Sequence, residues 1–296
     1  MTDTNRLLLH PKTKKQLGYF LQRPISPLLI LGERGGGKLK LAYSIAVSVL
    51  GTGSKTQLAS YPYFFHGAKP EGKQDIPIDT IREIIRFMRL KTPGNSLIRR
   101  FVLIEDANYL NIEAQNAFLK LLEEPNDDTL IVLTAPNELS LLPTIVSRCQ
   151  VIRAHPVSLK QAADFYGGRY GNRKTESAWR LSQGSPSLLE ALLSEEESHP
   201  LKQAIDQAKT FLGQSKYERL MMLDKTARSK DELKLFLEAF AKILAALHRA
   251  AVAKNKLKQA QNLAADRKLT LGCIDALDKN ANTRLLSLNF ILNLKS

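Results

Sequence analysis

At 296 residues with 44% hydrophobic content, the chain is long enough for two or three domains with real cores, which excludes wholesale disorder. Lys plus Arg number 43 against 29 Asp plus Glu, a formal charge of +14 that favours polyanionic partners, although a solvated basic surface reads the same way. No apolar stretch approaches the ~20 residues of a membrane span, the start has only the short apolar run Leu7 to Leu9, and Cys149 and Cys273 are too few for a disulfide framework or a zinc site, so a cytoplasmic chain with no membrane partner and no metal is expected.

Residues 6–23 read as a short amphipathic lead-in anchored by Leu7, Leu8, Leu17 and Phe20 and ended by Pro24 and Pro27. Leu28 to Leu31 is an apolar run without alternation, the pattern of a parallel strand buried on both faces. It runs directly into Gly32-Glu33-Arg34-Gly35-Gly36-Gly37-Lys38-Leu39, and a helix follows with Leu41, Ile45 and Ser48 to Val49 inward. Strand, glycine loop and helix in this order make a P-loop. Gly32, Gly35 and Gly37 let backbone N–H groups turn inward around phosphate oxygens, and Lys38 is placed to reach the outer phosphates. The position after the lysine should hold a Mg²⁺-binding hydroxyl, but Leu39 stands there and has no oxygen to offer. A plain strand-to-helix turn is the alternative reading of this loop.

Gly51 to Ser60 is a polar link, Tyr61 to Phe65 is a predicted strand, and His66 falls in a loop as a solvated histidine. A helix starts near Ile78 with Asp79 or Thr80 as cap, and buries Ile81, Ile84, Ile85 and Met88. Arg82, Arg86 and Arg89 lie off that face. Pro93-Gly94-Asn95 is a turn, and Arg99-Arg100 precede the next strand.

That strand, Phe101 to Ile104, closes on two acids, Glu105 and Asp106, which belong at the carboxyl edge of a parallel sheet where ligands of open α/β folds bind. Hydrolysis of a nucleotide calls for Asp then Glu, to hold Mg²⁺ and orient water; here the order is reversed. The next helix carries Ala114, Ala117, Phe118, Leu121 and Leu122 at helical spacing and stops at Pro125, and Leu130 to Leu133 is a second buried strand. The stretch closes on Ser147-Arg148-Cys149, with Cys149 read as a small buried hydrophobe.

The order acidic strand end, then NAFLKLLEEP, then SRC resembles the ATPase-type domain of bacterial DNA polymerase III clamp loaders, above all the delta-prime subunit and next the gamma/tau subunit. The resemblance implies that Arg148 acts in trans as an arginine finger on a neighbouring subunit's ATP, a role that suits a guanidinium fork. It implies that the helix carrying Arg82 and Arg86 faces a central DNA channel, making both candidate phosphate contacts. The residue that senses the third phosphate in relatives falls at Thr134 or Ala135. Delta-prime subunits have degraded loops, in line with Leu39 and the Glu105-Asp106 order, so Gly32, Gly35, Gly37, Lys38, Glu105 and Asp106 are candidates for a degenerate site where ATP or ADP is not required and its presence stays open. The zinc-binding cysteine cluster of many relatives has no counterpart here.

Pro156 marks a boundary, and residues 158–195 read as a small helical unit that Gly167-Gly168 interrupt. RLSQGSPSLLEAL resembles the lid of the same family, with Ser187 where lids often supply a basic residue. Glu195 to Glu197 read as an acidic hinge. Residues 200–296 repeat Leu, Phe, Met and Ala at helical spacing, a bundle of about five helices by typical helix length, and NANTRLLSLNFILNL resembles the last helix of a clamp-loader collar. Here 18 basic residues face 9 acidic ones, and Arg249, Lys254, Lys256, Lys258, Arg267 and Lys268 are opposed only by Asp266.

The expectation is therefore an α/β P-loop nucleotidase-like parallel-sheet domain over 1–155, a small helical lid over 156–199 and an all-α collar over 200–296. The function implied is a mostly non-hydrolysing, delta-prime-like ring member with gamma/tau-like and delta-like subunits, the sliding clamp and primed DNA as partners. The alternatives are a gamma-like ATPase using Lys38, Glu105 and Asp106 directly, or a DNA-repair ATPase of similar plan.

Overall fold

The computed structural model describes residues 7–70, 73–194 and 198–295, so the expected hinge Glu195 to Glu197 lies outside the described residues. The chain divides into two compact units, Met1–Phe165 with Ser185–Ser187, and Tyr166–Gly184 with Leu188–Ser296.

The first unit is built on five parallel strands: β1 (Leu28–Leu31), β2 (Phe64–Gly67), β3 (Arg100–Ile104), β4 (Thr129–Ala135) and β5 (Gln150–Arg153), in the spatial order β2-β3-β4-β1-β5. Every residue of β1, β3 and β4 is buried, as their unbroken apolar runs require. Their side chains alternate between two cores. Leu29, Leu31, Val102, Ile104, Ile131 and Leu133 meet the helices α4 (Ile78–Met88) and α5 (Ile112–Glu123). Leu28, Ile30, Phe101, Leu103, Leu130 and Val132 meet α1 (Pro11–Gln22) and α2 (Lys38–Leu50) on the other face. Two short helices, α3 (Lys55–Ala59) and α6 (Pro143–Val146), complete this unit, and α7 (Leu159–Tyr170) leads out of it.

The edge strand β5 is covered by α1. Thr13 Oγ1 donates to the Arg153 carbonyl (2.6 Å), and the Arg153 N–H donates to Gln16 Oε1 (3.1 Å). A strand edge satisfied by side chains in this way is closed to further pairing.

Four local expectations change. The strand read at Tyr61 to Phe65 forms three residues later, because Phe64 to Gly67 are the residues in register with Phe101 to Ile104. The cap of α4 is Pro77, with no side-chain bond, so neither Asp79 nor Thr80 caps it. Helix α7 runs through Gly167-Gly168, and the break comes at Gly171, whose φ of 80° favours glycine. Arg100 does not precede β3 but is its first residue, with only 1% of its surface exposed.

Burial of Arg100 needs a partner, and Asp128 supplies it at 3.5 Å. The guanidinium also donates to Thr129 Oγ1 (3.2 Å) and to the Leu90 carbonyl, tying the exit of α4 to the start of β3. Burial alone would push the Asp128 carboxyl up. Hydrogen bonds from Thr92 and Thr129, with the charges of Arg100 and Arg99, outweigh it and hold the carboxyl below its ordinary value.

The second unit contains α8 (Asn172–Ser182), most of α9 (Pro186–Ser194) and then α10 (Pro200–Gly213), α11 (Lys216–Thr226), α12 (Lys230–Ala253), α13 (Leu257–Asp278) and α14 (Thr283–Asn293). The five helices after residue 200 match the bundle read from the spacing. Their core is aromatic: Phe211 sits between Phe236 and Phe240, with ring centroids at 5.2 and 5.4 Å, and Phe290 joins from α14. Asp266 is buried and accepts the Lys295 N–H (2.8 Å), so it is not the surface counter-charge its sequence neighbours suggested.

Removing one member of a buried ion pair costs ~3–5 kcal/mol; Asp128→Asn should fall toward the low end, because Thr129 and the Leu90 carbonyl still hold Arg100. A carboxyl held low in the folded state contributes stability above its unfolded value of 3.8 and loses it as the pH falls through the lower folded value. Denaturant unfolding of wild type and Asp128→Asn, taken downward from neutral pH, should show the stability gap closing only in that acid range.

Candidate functional site

The glycine loop lies where β1 turns into α2, at the carboxyl edge of the sheet. Its entrance is fixed by the Gly32 N–H donating to the Ala135 carbonyl (3.1 Å) at the end of β4. Gly35 and Gly37 have φ of 80° and 84°, backbone that side-chain-bearing residues rarely adopt. A Cβ on Gly36 would lie 2.9 Å from the Glu33 carbonyl oxygen, which accepts the Gly36 N–H (3.0 Å). The loop thus has the tight, left-handed geometry of a phosphate cradle.

Its lysine is turned inward. Lys38 Nζ donates to the Gly32 carbonyl (2.8 Å) and to the Glu33 carbonyl (3.3 Å), and stands 3.7 Å from Asp106 Oδ1. Burial pushes its ammonium below the ordinary value and Arg34 adds to this, while Asp106 and Glu105 oppose it. The Ser187 N–H donates to the Gly35 carbonyl (3.0 Å), which closes a second side of the loop. Leu39 packs into the core beneath the loop.

The two acids at the end of β3 point apart. Asp106, at φ 45°, stays beside Lys38, and its N–H donates to Thr134 Oγ1 (2.8 Å). Glu105 Oε2 instead lies 3.0 Å from His66 Nε2, and His66 Nδ1 lies 3.1 Å from the Tyr43 hydroxyl. His66 is exposed, as read, but it is not in a loop: it sits in β2, joined to one of the expected site acids. Burial and the Glu105 charge both push the Tyr43 hydroxyl up. Thr134 Oγ1 accepts the Asp106 N–H and the Ala135 carbonyl accepts the Gly32 N–H, so both residues expected at the phosphate-sensing position are bound to the loops around them.

The residues present fit a Mg²⁺ ion poorly: Leu39 packs against the core where a hydroxyl ligand would stand, and Glu105 lies against His66.

Arg148 follows α6 at the rim of the unit and is about one-third exposed (35%). Its Nη1 donates to the Thr144 carbonyl (2.9 Å), and its Nη2 lies 2.5 Å from Glu123 Oε1. Glu123 is the first acid of the LLEEP stretch, so two of the three blocks read from the sequence meet in this ion pair. Burial pushes the neighbouring Cys149 thiol up to about 12, which leaves it protonated. On α4, Arg82 and Arg86 are exposed as expected, and Arg82 pairs with Asp79 at 2.7 Å. The contacts of Tyr43, His66 and Glu123 are not signalled by any local sequence pattern. Only charge complementarity across 39 residues (His66, Glu105) and 25 residues (Glu123, Arg148) could have signalled them.

A parallel sheet with a glycine loop at its carboxyl edge and a lysine opening the next helix defines the P-loop α/β class. The fold is similar over 95% of this chain and 97% of the other to a DNA polymerase III gamma subunit-related protein of Thermotoga maritima, with a TM-score of 0.57 and 19% identity. Residues 21–158 match the family described as DNA polymerase III, delta subunit. The DNA polymerase III subunit delta' of Pseudomonas aeruginosa is 34% identical over 134 residues, 41% of this chain and 40% of that protein. The Haemophilus influenzae subunit delta' is 32% identical over 160 residues, 53% of this chain and 46% of that protein. Over residues 21–158 the chain is thus similar to DNA polymerase III subunits of the delta and delta-prime description. The matched stretches span less than half the length of these curated relatives.

The isolated chain should release no phosphate from ATP above background. Leu39→Thr should leave it inactive, since Lys38 and Glu105 keep their present partners. Steady turnover that Lys38→Ala abolishes would instead establish a working ATPase.

Proposed function

We propose that the chain is a delta-prime-like member of a clamp-loader ring that hydrolyses no ATP itself and offers Arg148 in trans to a neighbour's nucleotide. The observation that carries the non-hydrolysing part is Leu39, which stands where a Mg²⁺-binding hydroxyl is needed and packs against the core instead. The family match over the first unit supports the ring. In this reading residues 156–199 serve as a lid and 200–296 as the collar that holds the ring together. Gamma/tau-like and delta-like subunits are its neighbours, and the sliding clamp and primed DNA are what the assembly acts on. Arg82 and Arg86 would meet DNA phosphates from the exposed face of α4. The chain needs no cofactor of its own.

The collar role is supported by α14. Its inner face buries Phe290 and Ile291, while Leu285, Leu288 and Leu292 form a second, exposed stripe. Apolar residues at spacings of three and four on a solvent face mark an interaction surface. Replacing all three by Ser should remove the chain from the co-purified complex and leave thermal unfolding of the isolated chain within about a degree or two, as for most surface substitutions. A complex that still assembles would exclude this stripe from the ring contact.

For Arg148 to reach a neighbour's phosphate it must leave Glu123. The pair is partly exposed and worth at most ~1 kcal/mol, so a phosphate can displace the carboxylate. Arginine fingers supplied in trans contribute roughly 10³–10⁵ in turnover in GTPases. One finger among several in a ring contributes less, so Arg148→Ala should give a clear partial loss of DNA- and clamp-stimulated ATPase in the reconstituted complex. Arg148→Lys keeps the charge but loses the planar fork, and should fail nearly as badly. Full activity of both variants in an intact ring would remove the finger role.

A further inference from the structure

Helix α1 is absorbed neither by the loop nor by Arg148, and its outer face has a distinct chemistry. Its inner face buries Thr13, Leu17 and Phe20. At ~100° per residue, Lys12, Lys15 and Tyr19 fall on one side of the helix, away from that face, and Arg23 follows as the residue that ends it. All four are exposed, Tyr19 to 62%. Lys14 adds a further exposed cation on the opposite flank. Residues 11–23 contain no Asp or Glu, and none of these four cations has an ion pair among the described residues. Lys15 Nζ lies 5.7 Å from the Tyr19 ring centroid.

The local field agrees. His155, packed by the start of α1 with its ring 5.4 Å from that of His10, is held below the ordinary histidine value by burial and by the charges of His10, Lys12 and Arg153. Arg153 itself is neutralised by Glu138 at 2.5 Å, so Lys12, Lys14, Lys15 and Arg23 are the uncompensated charges here.

We infer that the outer face of α1 binds single-stranded nucleic acid, with Lys12, Lys15 and Arg23 meeting successive phosphates and Tyr19 stacking on an unpaired base between them. Lys12 and Arg23 are ~16 Å apart along the axis at ~1.5 Å per residue, a span of a few nucleotides. A solvated basic face would not require a large, exposed aromatic ring in its middle, whereas a stacking platform flanked by cations is how single strands are held without sequence preference. A duplex keeps its bases stacked and offers Tyr19 nothing, and an acidic protein would use the lysines alone. This surface is separate from Arg82 and Arg86 on α4 and stands whether or not the ring reading does.

The test is fluorescence anisotropy of a labelled oligothymidylate titrated with the full chain over a range of salt. Three variants are compared with wild type: Tyr19→Ala, Lys12→Gln with Lys15→Gln, and all three together. The lysine pair should weaken binding several-fold and make the log–log salt slope shallower by roughly 0.7 per lost contact. Tyr19→Ala should weaken the single strand several-fold, leave the slope unchanged and leave binding to a duplex of the same length unchanged. Circular dichroism should be the same for all, since every changed side chain is exposed. No binding by wild type, or variants that match wild type in affinity and slope, would overturn the inference. A lysine effect with none from Tyr19, and displacement of wild type from the strand by polyglutamate at equal charge, would overturn it in favour of an acidic protein partner.

Discussion

Strand β4 is the constraint on which the first unit rests. Its seven residues are all buried, and it is paired on both sides, with β3 and with β1. Thr129 to Leu133 are in register with β3 and Val132 to Ala135 with β1, and a slip of one residue would exchange its two apolar faces. Its last two residues carry this precision outward. Thr134 accepts the N–H of Asp106 beyond β3, and Ala135 accepts the N–H of Gly32 beyond β1. The acidic turn and the glycine loop are thus both aligned by one strand end, which is why Lys38 and Asp106 come within 3.7 Å although 68 residues separate them.

The same geometry sets the shape of the glycine loop and where the side chains around it find partners. Gly35 and Gly37 keep their left-handed conformations, so the loop keeps its shape. The side chains around it find their partners within the chain. The lysine takes carbonyls of its own loop, and Glu105 turns toward β2 and α2 through His66 and Tyr43. Arg148, by contrast, is held at the rim by a single exposed carboxylate and one carbonyl, an arrangement that a stronger anion can replace.

The buried strands and the five-helix bundle were legible because they follow from periodicity. Leu28 to Leu31 and Leu130 to Leu133 have no polar side to expose, and the Leu, Phe and Ala positions after residue 200 recur at helical spacing. The misreadings share one cause, tertiary partners that a local pattern does not contain. His66 looked unpartnered because Glu105 is 39 residues away. Arg100 looked like a surface cation because Asp128 and the Leu90 carbonyl are what make its burial tolerable. Gly167-Gly168 looked like a break because glycine is a weak helix former, yet a Cβ on Gly167 would stand 2.4 Å from Asn172 Oδ1. That glycine answers a neighbour, not a turn.

The order of the strands also sets a schedule. β1 pairs with β4 and β5 and with nothing made before them. At ~5–20 residues per second, the ~100 residues between β1 and β4 take the ribosome roughly 5–20 s to add. During that interval Leu28 to Leu31, destined for burial on both faces, has no strand to join. The most hydrophobic early segment of the chain must therefore wait, sheltered by α1 and α2 alone or by a chaperone, until the strand that organises the sheet has emerged.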